Sequence, residues 1–375
     1  MSFSTLINRM NKDLPAPFSC RYTPNIPEIL NSLGITIAIS TYQAGKVIFI
    51  SAPNKEDLVQ LPRNFPKAMG IAVKDNRMAL AVRDEVIELS NSEQLAATYP
   101  PKPGVYDGLF LPRATYYTGQ LDLHDLEWGT EGLWAVNTRF SCLSMIDTEY
   151  SFRPVWKPHF ITTLTPQDKC HLNGMAFLNG KPKFVTALGQ TDTPEGWREH
   201  KTEGGVLMDV DSNEILVRGL PMPHSPRLYN GDLYGLLSAT GELVKFDATK
   251  GSYEVVSRLN GFVRGMARHG DYLFIGLSRL RKKSSSFGDL PIAEKSLNCG
   301  IAVIHFPSAS IVGQISYQAS VEELYDVKVL PGMRRPNVLG TMKDDFRRAL
   351  VTPDDTYWAS VQEKKEDSIK EMTQN

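Results

Sequence analysis

The sequence has few cysteines, and they lie far apart. Its four cysteines, Cys20, Cys142, Cys170 and Cys299, form no C-x-x-C pair. Zinc knuckles and disulfide scaffolds need closely spaced or numerous cysteines, so the sequence predicts neither. We expect four reduced thiols.

A large net charge and long apolar runs are also missing. The 41 lysines and arginines nearly balance the 42 aspartates and glutamates, which gives a formal net charge of −1. Such a weak overall field gives no electrostatic reason to bind nucleic acid. The sequence contains no apolar run of about 18 residues, and its start lacks the apolar stretch of a signal peptide. We therefore expect a soluble cytoplasmic protein, with neither nucleic acid nor membrane as a partner.

The sequence contains none of the common nucleotide or nucleophile motifs. It has no P-loop, no G-x-G-x-x-G turn after a strand and no nucleophile elbow. This argues against the enzyme classes that depend on those loops.

Short apolar or alternating runs recur along the chain, such as "KVIFIS", "GLWAVN" and "YLFIGLS", each closed by Gly, Asn, Asp or Pro. This pattern predicts strands and an all-β fold. Helical periodicity occurs only near the ends, at roughly 24–33 and 355–372. We predict an N-terminal extension at 1–33, a single β domain at 34–350 and a charged helical or disordered tail at 351–375.

An internal repeat organises the β domain. Each unit has a polar or bulky residue, a small or turn residue, a strand, a turn and a second strand, and successive units begin 40 to 61 residues apart. Six such units predict a six-bladed β-propeller. The hairpin at 35–51 precedes the first unit and either completes blade one or closes the ring against the last blade. The leading residues of blades one to six, expected to face the axis, are Met69, His124, Asn173, His224, Arg264 and Tyr325.

Two of these leading residues are histidines on even-numbered blades, and a third histidine, His171, lies two residues before Asn173. We predict that His124, His224 and His171 converge, because neutral imidazoles from separate blades are typical of a divalent metal site for zinc, iron or manganese. The alternative is that each is a hydrogen-bonded structural histidine.

Arg264 is a second candidate at the channel mouth. Its planar guanidinium suits a carboxylate or phosphate of a small anionic substrate. An ion pair with Glu323 or Asp326 of blade six is the alternative.

Three further residues complete the predicted catalytic set. Tyr325 is predicted to transfer a proton, although a tyrosine here could simply pack with one hydrogen bond. Asp125 is predicted to orient an imidazole, although an Asp at the head of a strand also commonly binds turn amides. Asn173 is included as the polar leading residue of blade three. The long segment 189–203 is predicted to be either a lid or a packed Ω-loop.

Several motifs together resemble an uncharacterised bacterial family of conserved hypothetical proteins, a domain of unknown function. They include "STYQAGK", "NTRFSCL", "CHLNGMA", "RGMARHGDY" and "LPGMRRP", and the resemblance covers roughly residues 35–345. The resemblance implies a family and no reaction.

A looser resemblance links "LHDLEWGTEGLWAV" and "PHSPRLYNGDLYGL" to the blade starts of peptidylglycine amidating lyase and of gluconolactonase-type six-bladed propellers. The lyase family implies zinc-binding histidines on alternate blades, which His124 and His224 match, while Tyr325 stands where the third is expected. The lactonase family implies a calcium ligand at Asn173, and its axial acidic ligand is missing here.

These inferences favour a metal-assisted hydrolase or lyase that acts on a small anionic substrate in the central channel. The alternative is a non-catalytic propeller that binds a peptide or protein partner across one face.

Overall fold

A computed structural model describes residues 15–280, 287–294 and 297–360. Six four-stranded antiparallel units surround a common axis, and the innermost strand of each unit contacts the innermost strands of both neighbours. The predicted all-β six-bladed propeller is confirmed. From the inside outwards, the strands of blade one are Ile71–Lys74, Arg77–Ala81, Glu85–Asn91 and Gly108–Tyr117, and those of blade two are Leu123–Trp128, Leu133–Asn137, Cys142–Met145 and Arg153–Trp156. In the same order, blade three has Leu172–Leu178, Lys181–Ala187, Gly205–Asp209 and Ile215–Leu220, and blade four has Pro223–Tyr229, Asp232–Leu237, Glu242–Asp247 and Ser252–Arg258. Blade five has Phe262–His269, Tyr272–Ser278, Gly300–His305 and Ser310–Tyr317, and blade six has Val327–Pro331, Ile35–Thr41, Lys46–Ser51 and Val59–Asn64.

Blade six joins the two ends of the chain. Its inner strand Val327–Pro331 pairs antiparallel with Ile35–Thr41, with Ile37 opposite Val329. Of the two roles predicted for the hairpin at 35–51, the structure shows the second, which is ring closure. Three early strands and one late strand therefore form one blade.

Further elements extend the blades or cover their edges. Strand Cys20–Tyr22 pairs outside blade five, and Pro336–Val338 runs parallel to the outer strand of blade one. The remaining elements are helix α1 (Ile26–Leu33), helix α2 (Glu93–Ala97), 3₁₀ turns at Gly196–His200, Pro291–Glu294, Phe306–Ser308 and Asp344–Arg348, and a hairpin of Ala349–Val351 with Thr356–Trp358.

Helix α1 confirms the periodicity seen at 24–33. Pro27 lies in its first turn, and Gly34 ends it in the left-handed conformation at φ 62°, which favours glycine. Its apolar face, with Ile26 and Leu30, packs into the core between blades five and six. The helical periodicity at 355–372, interpreted as a helical or disordered tail, is not matched at Thr356–Trp358, which forms a strand, and residues 361–375 of that tail lie outside the described residues.

The hydrophobic core is divided among the blade junctions. Six apolar clusters each join one pair of neighbouring blades. This follows from the strand pattern, since each sheet is covered on both faces and its side chains alternate between two neighbours. No helix of the described residues has the length and apolar character needed to span a membrane.

The inner strands alternate in composition around the ring. The second residue of the unit is Gly70, Gly174 or Gly265 on odd blades, and an added Cβ would lie 2.5–3.0 Å from atoms of the following even blade. On even blades this residue is an acceptor for a backbone amide of the following odd blade: Asp125 for Met175, Ser225 for Gly265 and Asp326 for Ile71. The blades are thus locked in alternating pairs, which gives the ring an approximate threefold repeat.

At one position of the inner strands, the even blades carry a charged residue and the odd blades do not. Three residues beyond the leading position lie Glu127, Arg227 and Lys328, where the odd blades have alanine. Buried Arg227 forms two hydrogen bonds to the Asp125 carboxylate, at 2.8 and 3.1 Å. Lys328 lies 3.6 Å from Glu127. These ion pairs lie on the inner strands beyond the pocket residues.

Candidate functional site

A cavity of about 630 Å³ occupies the end of the ring where the inner strands begin. This volume is in the range of small-molecule sites. Of the predicted site residues, His124, His171, Arg264 and Tyr325 line it, together with Met69 of the ring. His224, the third predicted metal ligand, is buried and does not line the cavity. The lining also includes Asp168, Leu188, Trp197, Met222, Phe262, Arg279, Leu280, Phe287 and Glu323.

His124 is held in a defined tautomer. Its Nδ1 lies 2.9 Å from the carbonyl oxygen of Asp122 and 2.7 Å from Oγ1 of Thr138. The carbonyl can only accept, and the Thr138 hydroxyl donates to the Leu172 carbonyl at 2.6 Å. Nδ1 therefore carries the hydrogen, and the Nε2 lone pair is available.

His224 repeats this arrangement two blades further on. Its Nδ1 lies 3.1 Å from the Met222 carbonyl and 2.8 Å from Oγ of Ser238, which donates to the Val263 carbonyl at 2.6 Å. Its Nε2 is buried and has no hydrogen-bond partner in the described structure. A buried polar atom without a partner is costly unless a ligand satisfies it.

His171 is oriented by a carboxylate. It lies just before the inner strand of blade three with φ +51°, and its Nδ1 is 2.9 Å from an Asp168 oxygen. The Trp197 indole donates to the same oxygen at 3.1 Å, and its ring packs 4.4 Å from the imidazole. Asp168 thus fixes the ring plane of His171.

The surroundings keep two of the imidazoles neutral. Burial lowers the pKa of His124 well below its usual value, and His171, Arg264 and His224 add to the effect. Burial and then Arg264 lower the pKa of His224 in the same way. Neutral imidazole is the form that binds metals and accepts protons.

The His124 and His171 rings lie close together without forming a finished metal site. The His124 ring lies 4.7 Å from the His171 ring and 5.0 Å from the Tyr325 ring, both edge to face. Among the described residues, no group of three or more His, Cys, Asp or Glu side chains is arranged to hold a metal ion.

The guanidinium of Arg264 contacts two aromatic rings. Its guanidinium carbon lies 4.9 Å from the centre of Phe262 and 5.0 Å from that of Tyr325. Nη1 donates to Glu323 at 3.2 Å, which is one of the two ion pairs considered from the sequence, while the buried Nε has no partner in the described structure. Burial raises the pKa of Tyr325 well above its usual value, so the phenol stays protonated.

Two of the predicted catalytic residues are not brought to the cavity. Asp125 is engaged by Arg227 and by the Met175 amide rather than by an imidazole. Asn173 is buried and donates to the Pro223 carbonyl at 2.9 Å. The chain folds this way because both side chains satisfy buried groups at blade junctions.

The segment 189–203, predicted to be a lid or an Ω-loop, contributes one side of the cavity. Its Trp197 is buried in a cluster with Leu188, Met222 and Phe262, whereas most of its other residues are exposed or partly exposed.

Sequence reasoning missed the residues that orient the histidines. Thr138 and Ser238 each follow their histidine by 14 residues, and this repeated spacing could have revealed them. Asp168 lies three residues before His171, and no pattern distinguished it.

The fold and cavity define a six-bladed β-propeller with a polar pocket at one end of its axis. Residues 24–339 match the family described as a domain of unknown function (DUF4915), and the chain belongs to that family. This confirms the uncharacterised family inferred from the motifs.

Two solved structures are similar to this chain at low identity, and the first has a similar fold. A chain in the crystal structure of a nidogen/laminin complex matches with a TM-score of 0.51 and 10% identity, over 80% of this chain and 99% of that chain. A protein of unknown function from Bacteroides caccae matches with a TM-score of 0.48 and 10% identity, over 79% of this chain and 98% of that chain. No curated protein matches the sequence.

Proposed function

We propose that the protein is a metal-assisted hydrolase or lyase that acts on a small anionic molecule in the axial pocket. The main support is the common setting of three imidazoles. His124 and His224 each direct Nδ1 to a backbone carbonyl and a hydroxyl, and His171 directs Nδ1 to a carboxylate. Partners of this kind on one ring nitrogen are typical of histidines whose other nitrogen binds a metal.

His124, His224 and His171 are the proposed donors for a divalent zinc, iron or manganese ion. The unpartnered Nε2 of His224 and the neutral state of His124 and His224 fit such an ion chemically. The rings are not already assembled as a three-ligand group, and the positive charge of Arg264 nearby lowers the affinity for any cation. A bound ion would acidify a water molecule or polarise a substrate oxygen.

Arg264 and Tyr325 are the proposed groups for the substrate itself. Arg264 Nε has a hydrogen to donate to an anion, although Glu323 competes for the same guanidinium. Tyr325 remains protonated and can donate a proton to a leaving group. Asn173 and Asp125 have no part in this proposal because blade junctions use their side chains.

We also propose that the protein works in the cytoplasm. Its four cysteines are unpaired, and burial raises the pKa of Cys142, Cys170 and Cys299 to about 12, so these three remain thiols.

Elemental analysis of protein purified without a histidine tag tests the proposal. We expect about one transition metal per chain, lost in the double variant His124→Asn/His224→Asn and retained in the control His200→Asn, an exposed histidine. Protein without metal, and with unchanged thermal stability after addition of zinc, manganese or iron, would contradict it. The alternative of a peptide- or protein-binding propeller would then be preferred.

A further inference from the structure

We infer that the pocket binds a monoanionic carboxylate joined to an aromatic ring. This deepens the proposed function, because it takes the same pocket as the active site. It rests on a difference between the two walls of the pocket. The imidazoles of His124 and His171 line the pocket from blades two and three, whereas the facing wall from blade five is apolar and carries two guanidinium groups.

The apolar part of the blade-five side can hold a ring. Phe262 and Phe287 lie 6.0 Å apart with a 43° angle between their planes, and Leu280 lines the same side. Leu188 and Met222 extend this surface beneath Trp197. Aromatic rings bind well to such surfaces through offset or edge contacts.

The charge on this side favours one negative charge. Among the described residues of this side, Arg264 and Arg279 contribute two positive charges, and Glu323 contributes one negative charge. Arg279 donates to the Tyr317 carbonyl at 2.9 Å and has no carboxylate partner among the described residues. The net charge of these three groups is +1, which matches a carboxylate better than a phosphate dianion.

The kind of cation also favours a planar anion. The described pocket lining contains four arginines and no lysine. A guanidinium binds carboxylates in a plane with two parallel hydrogen bonds, which an ammonium group cannot do. The Arg264 guanidinium contacts the rings of Phe262 and Tyr325, and its buried Nε has a hydrogen without an acceptor in the described structure.

The arrangement places the two parts of a ligand. A ring against Phe262 and Phe287 and a carboxylate at Arg279 and Arg264 would hold the rest of the molecule toward His124 and His171. A cavity of about 630 Å³ has space for one or two rings with a short chain.

Calorimetric titration with four probes tests the ligand class. The probes are 3-phenylpropanoate, its uncharged amide 3-phenylpropanamide, the ringless acid butanoate, and the dianion phenyl phosphate. We expect 3-phenylpropanoate to bind at least about tenfold more tightly than the amide and butanoate, since each lacks one of the two recognised parts. Phenyl phosphate should bind no more tightly than 3-phenylpropanoate.

Two pocket variants and a control locate the contacts. Arg279→Met should weaken 3-phenylpropanoate about tenfold and leave the amide unchanged. Phe262→Leu should weaken 3-phenylpropanoate more than butanoate. Arg347→Met, which alters an exposed arginine paired with Asp344, should change neither affinity.

Equal binding of the acid and its amide, tighter binding of phenyl phosphate, or no binding of any probe at millimolar concentration would overturn the inference. If no probe binds while the histidine double variant loses its metal, only the ligand class is wrong. If 3-phenylpropanoate binds as expected but the protein holds no metal, the ligand class stands and the metal-assisted chemistry fails.

Discussion

The inner strands of the even blades carry open polar groups at one end and paired charges further along. At the pocket end, Nε2 of His224 has no partner in the described structure. Three residues beyond each leading position, Arg227 is saturated by Asp125, and Lys328 lies 3.6 Å from Glu127. Both ends contain buried polar side chains, and Nε1 of Trp128 at the far end also has no partner in the described structure. The two ends therefore differ in chemistry, because an imidazole nitrogen can accept a proton or bind an ion, whereas an indole nitrogen can only donate a hydrogen bond.

Removing one charge of the paired groups on the inner strands should have the largest effect on stability. Arg227→Met leaves the buried Asp125 carboxylate without its cation, and we expect a loss of about 3–5 kcal/mol in the free energy of unfolding. Urea denaturation measures it. The control Arg258→Met removes an exposed partner of Glu242 and should cost at most about 1 kcal/mol. Equal losses would contradict the contrast between the regions.

Lowering the pH should reduce the folding stability through the two histidines at the pocket end. The pKa values of His124 and His224 are depressed in the folded protein, so their contribution is complete above about pH 6.5 and is lost as pH falls below it. Below this pH only the unfolded chain binds the two protons, which lowers stability by up to about 2 kcal/mol between pH 6.5 and 5.5. Denaturation at both pH values should show this slope, and His124→Asn/His224→Asn should reduce it. An unchanged slope in the variant would place the effect elsewhere.

The contact between alternating blades predicts a third effect. In Gly265→Ala the new Cβ would lie 2.6 Å from the backbone nitrogen of Val327, at φ +72°. We expect a loss of about 2 kcal/mol from strain and overlap together, measured by thermal denaturation. Gly119→Ala has a similar φ of +74° but open space, so it reports the backbone strain alone. A larger loss at Gly119 would show that blade contact is unimportant.

The smallest effect concerns the tautomer of one histidine. Ser238→Ala removes a hydroxyl that binds His224 Nδ1 and the Val263 carbonyl, and should cost about 1 kcal/mol. Nitrogen NMR of the imidazole should show a shifted Nδ1 signal with the hydrogen still on Nδ1, because the Met222 carbonyl still accepts it. Ser308→Ala, which alters the exposed partner of His305, should leave that spectrum unchanged.

The sequence was sufficient to predict the blades and the ring because both depend on local repetition. Strand runs, turn residues and unit spacing identified six units, and His124, Arg264 and Tyr325 line the pocket as expected. Each leading residue occupies the same place in its repeat, which explains why most of them reach the pocket, although Asn173 and His224 are buried and do not line it.

The partners of these residues could not be read in the same way. Asp125 meets Arg227 from 102 residues away, and only the folded ring brings them together. The alternation of Gly70, Gly174 and Gly265 with even-blade acceptors was present in the sequence, but its meaning depends on which atoms of the next blade lie opposite. The metal and the catalytic roles remain predictions.

The shared blade has a consequence for how the protein is made. On the ribosome, strands 35–64 emerge early but lack their inner neighbour until residues 327–331 have been synthesised. Bringing these segments together closes a loop of nearly the whole domain, which is a slow and entropically costly step. A nascent chain halted before that point would expose the edge of Ile35–Thr41 to aggregation or to chaperones.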